Sequence, residues 1–438
     1  MGAVALLLVL LFPQDNSNLN PPDTIPAKAL EAYNEGHEIL EKARRGGANS
    51  IDLAEESLDH FRKAIRLTKI DFALPYYRIG IAYQYTKDYK DAKRALDKAL
   101  KINPQFHEAL LELGDVWQWM KKYKEALREY DKALAIKPDY AYAHRNKALA
   151  YIRLQDWEKA KISCEEALAI DSKEAFTKDL LKMVQKEIDG PGFERTYKKE
   201  TAHFIIQTDV DQRFCNWIAE HAEHAYKKYA SIFPKQTRKK NKYPVIVFST
   251  YKKYIAYGSP ENTGGYYSDF LKKLVLYKGR TDKDTLIVLY HEGFHQFLAY
   301  YLSDAPQWFN EGHGDYFGPS IYNTRTKKME IKVNPWRLPV VKQAIRKNNY
   351  TPFRKLMLMT QAELYDPKTV GLNYAQSWSM VYFFWHYEKG KYGKLLQKYF
   401  LSLRKGLGLR KAFDAAFGRT NLEAIEAEWR RFIMNLEK

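Results

Sequence analysis

The chain has 438 residues, too many for one ordinary hydrophobic core, and its 45% hydrophobic, 15% aromatic and 28% charged residues exclude a disordered or fibrous protein. The net charge of +18 is uneven: residues 1–190 hold 30 Lys/Arg and 30 Asp/Glu, leaving 41 and 23 for residues 191–438, which therefore carry the whole excess. Such a basic half favours anionic surroundings, an envelope surface among them, although scattered solvated lysines beside turns are the competing reading, and it lacks the aromatic–basic pattern of a specific nucleic-acid binder.

Ala3 to Phe12 is an apolar run followed by a Pro/Asn-rich stretch. Ten residues are too few to span a bilayer as a helix and match the apolar region of a signal peptide, although no basic residue precedes them and no A-x-A site follows. Residues 1–26 are accordingly expected to be a signal segment and linker, and the protein to be exported to the periplasm, the envelope or the medium. Cys164 and Cys215 are the only cysteines; they fall in different domains, so neither a disulfide nor a thiolate metal site is expected.

A 34-residue period runs from 72 to 173. It joins Gly80 to Gly114, Tyr89 to Tyr123 and Trp157, Ala92 to Ala126 and Ala160, Ala99 to Ala133 and Ala167, and Pro104 to Pro138. Small residues at a fixed period mark where paired helices approach closely, and the prolines stop the second helix of each pair. The pattern resembles the tetratricopeptide repeat. Three units are clear, at 72–105, 106–139 and 140–173. An earlier one aligns through Phe61 and Ala64 with an insertion at GGANS, and a cap helix covers 174–189, so the helical array occupies 27–189. The resemblance implies a concave groove that takes a peptide or protein partner, with Tyr77, Tyr85, Trp119, Tyr142, Arg145 and Arg153 at the groove positions. Core packing is the competing reading of the same aromatics.

GPGFERT, from Gly190, breaks the helical pattern, so 190–202 is expected as linker and 203–438 as a second domain. HFIIQTDV and YPVIVFST read as strands around a helix near 211–231, and Gly264 to Leu276 as a hairpin. The signals then turn helical. The fold class expected is an α-solenoid followed by an α+β domain, with a small mixed sheet first and a helical second half. The densest basic run of this domain is KQTRKKNK, residues 235–242.

Residues 282–302 form one predicted helix containing HEGFH, with Thr281 as N-cap and Asp284 three residues on. His291 and His295, four apart, project from one face and can grip one metal ion, while Glu292 stands beside the ion's open position as a base. Sixteen residues after His295, Glu311 opens a second predicted helix in WFNEGHGDYF and can return as third ligand. Asp315, one turn further, can accept the free N–H of a metal-bound histidine.

These strings resemble the gluzincin metallopeptidases, a superfamily of zinc enzymes. The resemblance implies a Zn2+ held by His291, His295 and Glu311, Glu292 as general base, Asp315 as the partner of a ligating histidine, and peptide or protein as substrate. It also implies a second oxyanion donor besides zinc, for which Tyr374 is the candidate and His313 the reserve; a satisfied core histidine is the alternative for His313. An extended substrate could add to the sheet edge at the Gly264–Leu276 hairpin, which ordinary sheet packing would equally explain. His221 and His224 have no carboxylate at metal spacing and read as surface residues. The competing functional class is an interaction protein whose metal domain is inert. Oligomeric state is not readable.

Overall fold

The computed structural model describes residues 25–45, 50–68, 72–233, 242–302 and 304–437. The apolar run at 3–12, residues 46–49 of the insertion and residues 235–241 of the basic run lie outside the described residues. The chain divides into two compact units between Gly190 and Pro191.

Among the described residues the first unit is nine helices: α1 (Ala27–Arg44), α2 (Ser50–Leu67), α3 (Ala73–Tyr85), α4 (Tyr89–Ile102), α5 (His107–Trp119), α6 (Tyr123–Ile136), α7 (Ala141–Leu154), α8 (Trp157–Ile170) and α9 (Ala175–Asp189). The sequence period is written into the backbone. Phe72, Phe106 and Tyr140, 34 apart, each precede the first helix of a pair and are buried. The turn between the two helices of each pair then holds a left-handed residue, Lys87, Lys121 or Gln155, with φ of 63°, 60° and 62°. A Cβ at Gly80 would stand 2.6 Å from Leu96, and one at Gly114 would overlap the Tyr130 ring. In the third pair the corresponding residues are Ala148 and Cys164, both buried, where a smaller partner tolerates the methyl group.

A polar seam runs through these helices. Gln84 donates to Glu112 Oε2 (2.7 Å), Tyr130 Oη and Asn146 Nδ2 donate to Asp115 Oδ1 (2.5 and 2.8 Å), and Arg145 Nε donates to Asn146 Oδ1 (3.2 Å). Arg145 also faces Glu174 at 3.8 Å. This corrects two of the expected groove residues. Tyr77 is fully buried against Phe106, ring centroids 4.9 Å apart, and Arg145 is buried in the seam, so neither offers a surface to a partner. Tyr85, Trp119, Tyr142 and Arg153 are half-buried and keep some exposure.

In the second unit, β1 (Tyr197–Glu200), β2 (Phe204–Thr208), β3 (Tyr243–Phe248), β4 (Gly265–Ser268) and β5 (Lys273–Tyr277) form one sheet in the order β1-β2-β3-β5-β4. β2, β3 and β5 are parallel, and the edge strands β1 and β4 run antiparallel to their neighbours. Crossover helix α10 (Gln212–Ile232) starts at Asp211, whose side chain accepts the Phe214 N–H. β1 lies inside the expected linker: its Lys-rich, exposed pattern carries no apolar signal, as befits a charged edge.

Past the short α11 (Tyr251–Ala256) and the sheet, the chain is helical: α12 (Asp282–Tyr301), α13 (Gln307–Phe317), a small ribbon of β6 (Ile321–Asn323) with β7 (Lys328–Glu330), then α14 (Arg337–Arg346), α15 (Phe353–Met357), α16 (Gln361–Leu364), α17 (Val370–His386), α18 (Gly393–Arg404), α19 (Leu409–Phe417) and α20 (Leu422–Asn435). Ile206, Val245, Val247, Leu274 and Leu276 from the sheet share one core with the aromatics Phe233, Phe294, Phe309 and Phe317.

Burial pushes the Glu112 carboxyl up to about 7, against which the Gln84 hydrogen bond and nearby arginines act only partly, and burial likewise raises Asp115. Since the folded value exceeds the unfolded one, the charge penalty is absent below about pH 4.5 and grows until the pH passes about 7, so stability from this group falls as pH rises. Thermal melts between pH 5 and 8 should therefore slope less in Glu112→Gln than in the parent; equal slopes would discount the seam. Gly114→Ala, which forces the Tyr130 ring aside, should destabilise the repeats by about 1–3 kcal/mol, read from denaturant melts.

Candidate metal centre

α12 is set at its start by a capping box: the Asp284 N–H bonds the Thr281 hydroxyl and Asp284 carboxylate accepts the Thr281 N–H. Its core face, Leu289, Tyr290, Phe294 and Phe297, leaves His291, Glu292 and His295 half-buried on another face. The Tyr229 hydroxyl of α10 donates to the Tyr290 carbonyl at 2.7 Å, pinning the helix at the motif.

α13 then brings Glu311 back. Its Oε2 stands 3.5 Å from His291 Nε2 and 3.6 Å from His295 Nε2. Those gaps are too long for good hydrogen bonds. They match the edge of a tetrahedron of zinc ligands, about 3.3–3.6 Å for metal–ligand lengths near 2.0–2.2 Å. The donor atoms of His291, Glu292 and His295 also lie within 4.8 Å of one another. Glu292 is engaged elsewhere, however: its Oε2 accepts the Tyr267 N–H of β4 at 3.0 Å. Glu311 is therefore the better third donor, and the N, N, O set fits zinc.

Two glycines permit the approach. A Cβ on Gly312 would lie 2.7 Å from the Ser377 carbonyl of α17, and one on Gly314 would lie 2.9 Å from the His291 ring. Burial lowers the proton affinity of His291 and raises that of Glu311, yet in both cases charge wins. Asp315 and Glu311 hold His291 well above its usual value, and the two imidazoles hold Glu311 well below its own.

The candidate ligand side chains are themselves held. His295 Nδ1 meets Asn310 Oδ1 at 2.8 Å, His291 Nδ1 faces Asp315 Oδ1 at 3.5 Å, and Arg337 Nε donates to Asp315 Oδ2 at 2.7 Å. The Tyr365 hydroxyl donates to Glu311 Oε1 at 2.6 Å, leaving Oε2 to the histidines. Asn310 carries no expectation from the sequence, although its place beside Glu311 in the NEG string is a signal that points to it; Tyr365 and Arg337 follow no spacing rule and escape a reading of the sequence. Tyr374 does come to the site: its ring is 6.1 Å from Tyr365, the Arg337 guanidinium lies 5.0 Å above it, and burial followed by Glu311 raises its phenol.

His313 does not. It is fully buried, its Nδ1 bonding the Phe309 carbonyl (2.8 Å) and its Nε2 accepting from Trp385 Nε1 (3.1 Å), and burial pulls it down to about 3. With both nitrogens satisfied in the core, it is a structural histidine. His221 and His224 are partly buried rather than surface residues. His221 bonds the Tyr290 hydroxyl at 2.7 Å, and His224 stacks on Tyr322 at 3.7 Å.

Comparison with known proteins separates the two units. Residues 73–106 and 141–174 match the tetratricopeptide repeat and 120–155 a TPR repeat, while 286–406 match a protein family of unknown function, DUF1570. The amino-terminal unit is thus a tetratricopeptide array, and the DUF1570 match opens within α12 and takes in both metal motifs. Solved structures similar to parts of the chain include MamA 41-end from Desulfovibrio magneticus RS-1, with 28% identity over 38% of this chain and 88% of that one, TM-score 0.33. Another is the first TPR of Spaghetti (RPAP3) bound to an HSP90 peptide, with 20% identity over 27% and 94% and TM-score 0.27. The Sgt2 TPR domain from Aspergillus fumigatus gives 20% identity over 27% and 79%, TM-score 0.26. Among curated proteins there is no match. Tetratricopeptide arrays present extended concave surfaces, so the first unit is a protein-interaction module.

His295→Ala should reduce bound zinc to near zero by elemental analysis. Asn310→Ala, which frees the His295 ring, should weaken zinc on the order of 10–100-fold in a chelator competition, with helical content unchanged. Zinc affinity equal to the parent's in Asn310→Ala would mean that the 2.8 Å contact does not orient the ligand.

Proposed function

We propose that the carboxy-terminal unit is a zinc-dependent peptidase of the gluzincin type, and that the repeats recruit its protein substrate or a partner. One observation carries the reading: His291, His295 and Glu311, from two helices, present their donor atoms at ligand spacing with Glu292 alongside. When bound, zinc supplies Lewis acidity toward a scissile carbonyl. The rest falls to this chain's side chains. Glu292, steadied by the Tyr267 N–H, takes a proton from the attacking water and delivers it to the departing amine. Tyr374, whose phenol burial keeps protonated, is the candidate donor to the developing oxyanion. Gly265 and Tyr267 occupy the same edge strand, so a substrate lying along β4 would pass directly over the general base.

A second reading has the repeats as the working surface and the metal domain as an inert brace. What favours it is that the repeats match tetratricopeptide families, whereas the family matched by 286–406 is described as of unknown function. Turnover separates the two. A broad peptide library should be cleaved by the zinc-loaded protein, and Glu292→Gln should keep its zinc while losing on the order of 10²–10⁴ in rate. No cleavage by the parent supports the brace; cleavage within a few-fold of the parent by Glu292→Gln removes the assigned base.

A further inference from the structure

The turn between α18 and α19 reads Arg404-Lys405-Gly406-Leu407-Gly408-Leu409-Arg410-Lys411, and it lies at the end of a stretch, 389–413, with eight Lys/Arg and no Asp or Glu. Lys394, Lys398, Lys405, Arg410 and Lys411 are exposed, and none pairs with a carboxylate among the described residues. At the apex Leu407 is 37% exposed, the least open of eleven exposed large apolar side chains among the described residues but one that sits within a basic run. A Cβ built on Gly406 or Gly408 would meet nothing within 4 Å, so the apex is open on both sides of the leucine. The anchor below it is firm: Leu403, Ala412 and Phe413 are buried in the core of the unit.

We propose that this apex docks on an anionic phospholipid surface, with Leu407 entering the headgroup layer and Lys405, Arg410 and Lys411 over the lipid phosphates. The argument is one of charge and shape. A cluster of unpaired cations raises the local concentration of anions, and each cation near a charged leaflet contributes favourably. An exposed hydrocarbon flanked in sequence by those cations has a use at a lipid interface that a purely aqueous polyanion would not give it. A nucleic acid would instead call for aromatic platforms, and no aromatic residue occupies 401–412. No described helix is long and apolar enough to cross a membrane, so the contact is with the surface.

The test is flotation of the full-length protein with phosphatidylcholine vesicles, with and without about 30% phosphatidylglycerol, which makes the surface strongly anionic. Binding should need the anionic lipid and disappear in 0.5 M salt, about fivefold the ionic strength at which the screening length is near 10 Å. Lys405→Glu/Arg410→Glu should bind at least tenfold more weakly and Leu407→Ser a few-fold more weakly, both with unchanged melting. All these proteins share the same amino terminus, so any lipid affinity of the apolar run at 3–12 cancels in the comparison. Failure of the parent to bind anionic vesicles overturns the proposal, as does equal binding by the charge-reversed variant. Displacement by heparin or duplex DNA with no effect of Leu407→Ser would reassign the apex to a soluble polyanion.

Discussion

The carboxy-terminal unit turns on a single approach: the carboxylate of Glu311, on α13, set against two imidazoles that α12 presents four residues apart. Three charged or ionisable groups are gathered in a largely buried place, an arrangement that costs several kcal/mol unless charge is balanced. Much of the surrounding structure serves that balance. Tyr365 takes one oxygen of Glu311, Asn310 and Asp315 face the outer nitrogens of the histidines, and Arg337 neutralises Asp315. Gly312 and Gly314 exist to let the two helices and α17 come close enough.

Glu292 is tied to the sheet as well as to its helix. Because Glu292 accepts the Tyr267 N–H, its carboxylate is oriented by an edge strand, and that strand is held in turn by its pairing with β5. Position of this carboxylate thus depends on sheet register as much as on helix geometry. The helix alone would leave a glutamate several rotamers; the strand selects one.

What the residues reveal in advance follows from range. The 34-residue period and HEGFH are local patterns, and both survive as structure: the period recurs in the backbone at Lys87, Lys121 and Gln155, and the histidines share a helix face. Placing Glu311 needed one further step, a turn between helices. Tyr365, 54 residues from the carboxylate it bonds, and Arg337, 22 from Asp315, are set by tertiary packing that no spacing encodes. The misplaced residues fail for the same reason in reverse. Tyr77, Arg145 and His313 have the right type and position for a working surface, but burial is a property of neighbours, and each is enclosed by aromatics or a polar seam. β1 was hidden because a Lys-rich edge strand looks like a linker.

The pairs Gly80 with Leu96, Gly114 with Tyr130 and Ala148 with Cys164 also bear on how the solenoid assembles. Repeats of equal length invite a slip by one whole unit, in which a second helix packs on the wrong first helix without any loss of helical pattern. Here such a slip is sterically marked. Tyr130 laid over Ala148 would collide with a methyl group, and Cys164 laid over Gly114 would leave a hole the size of a phenol. Each repeat therefore carries its own key, and the differences among them act as a proofreading code that a run of identical units would lack.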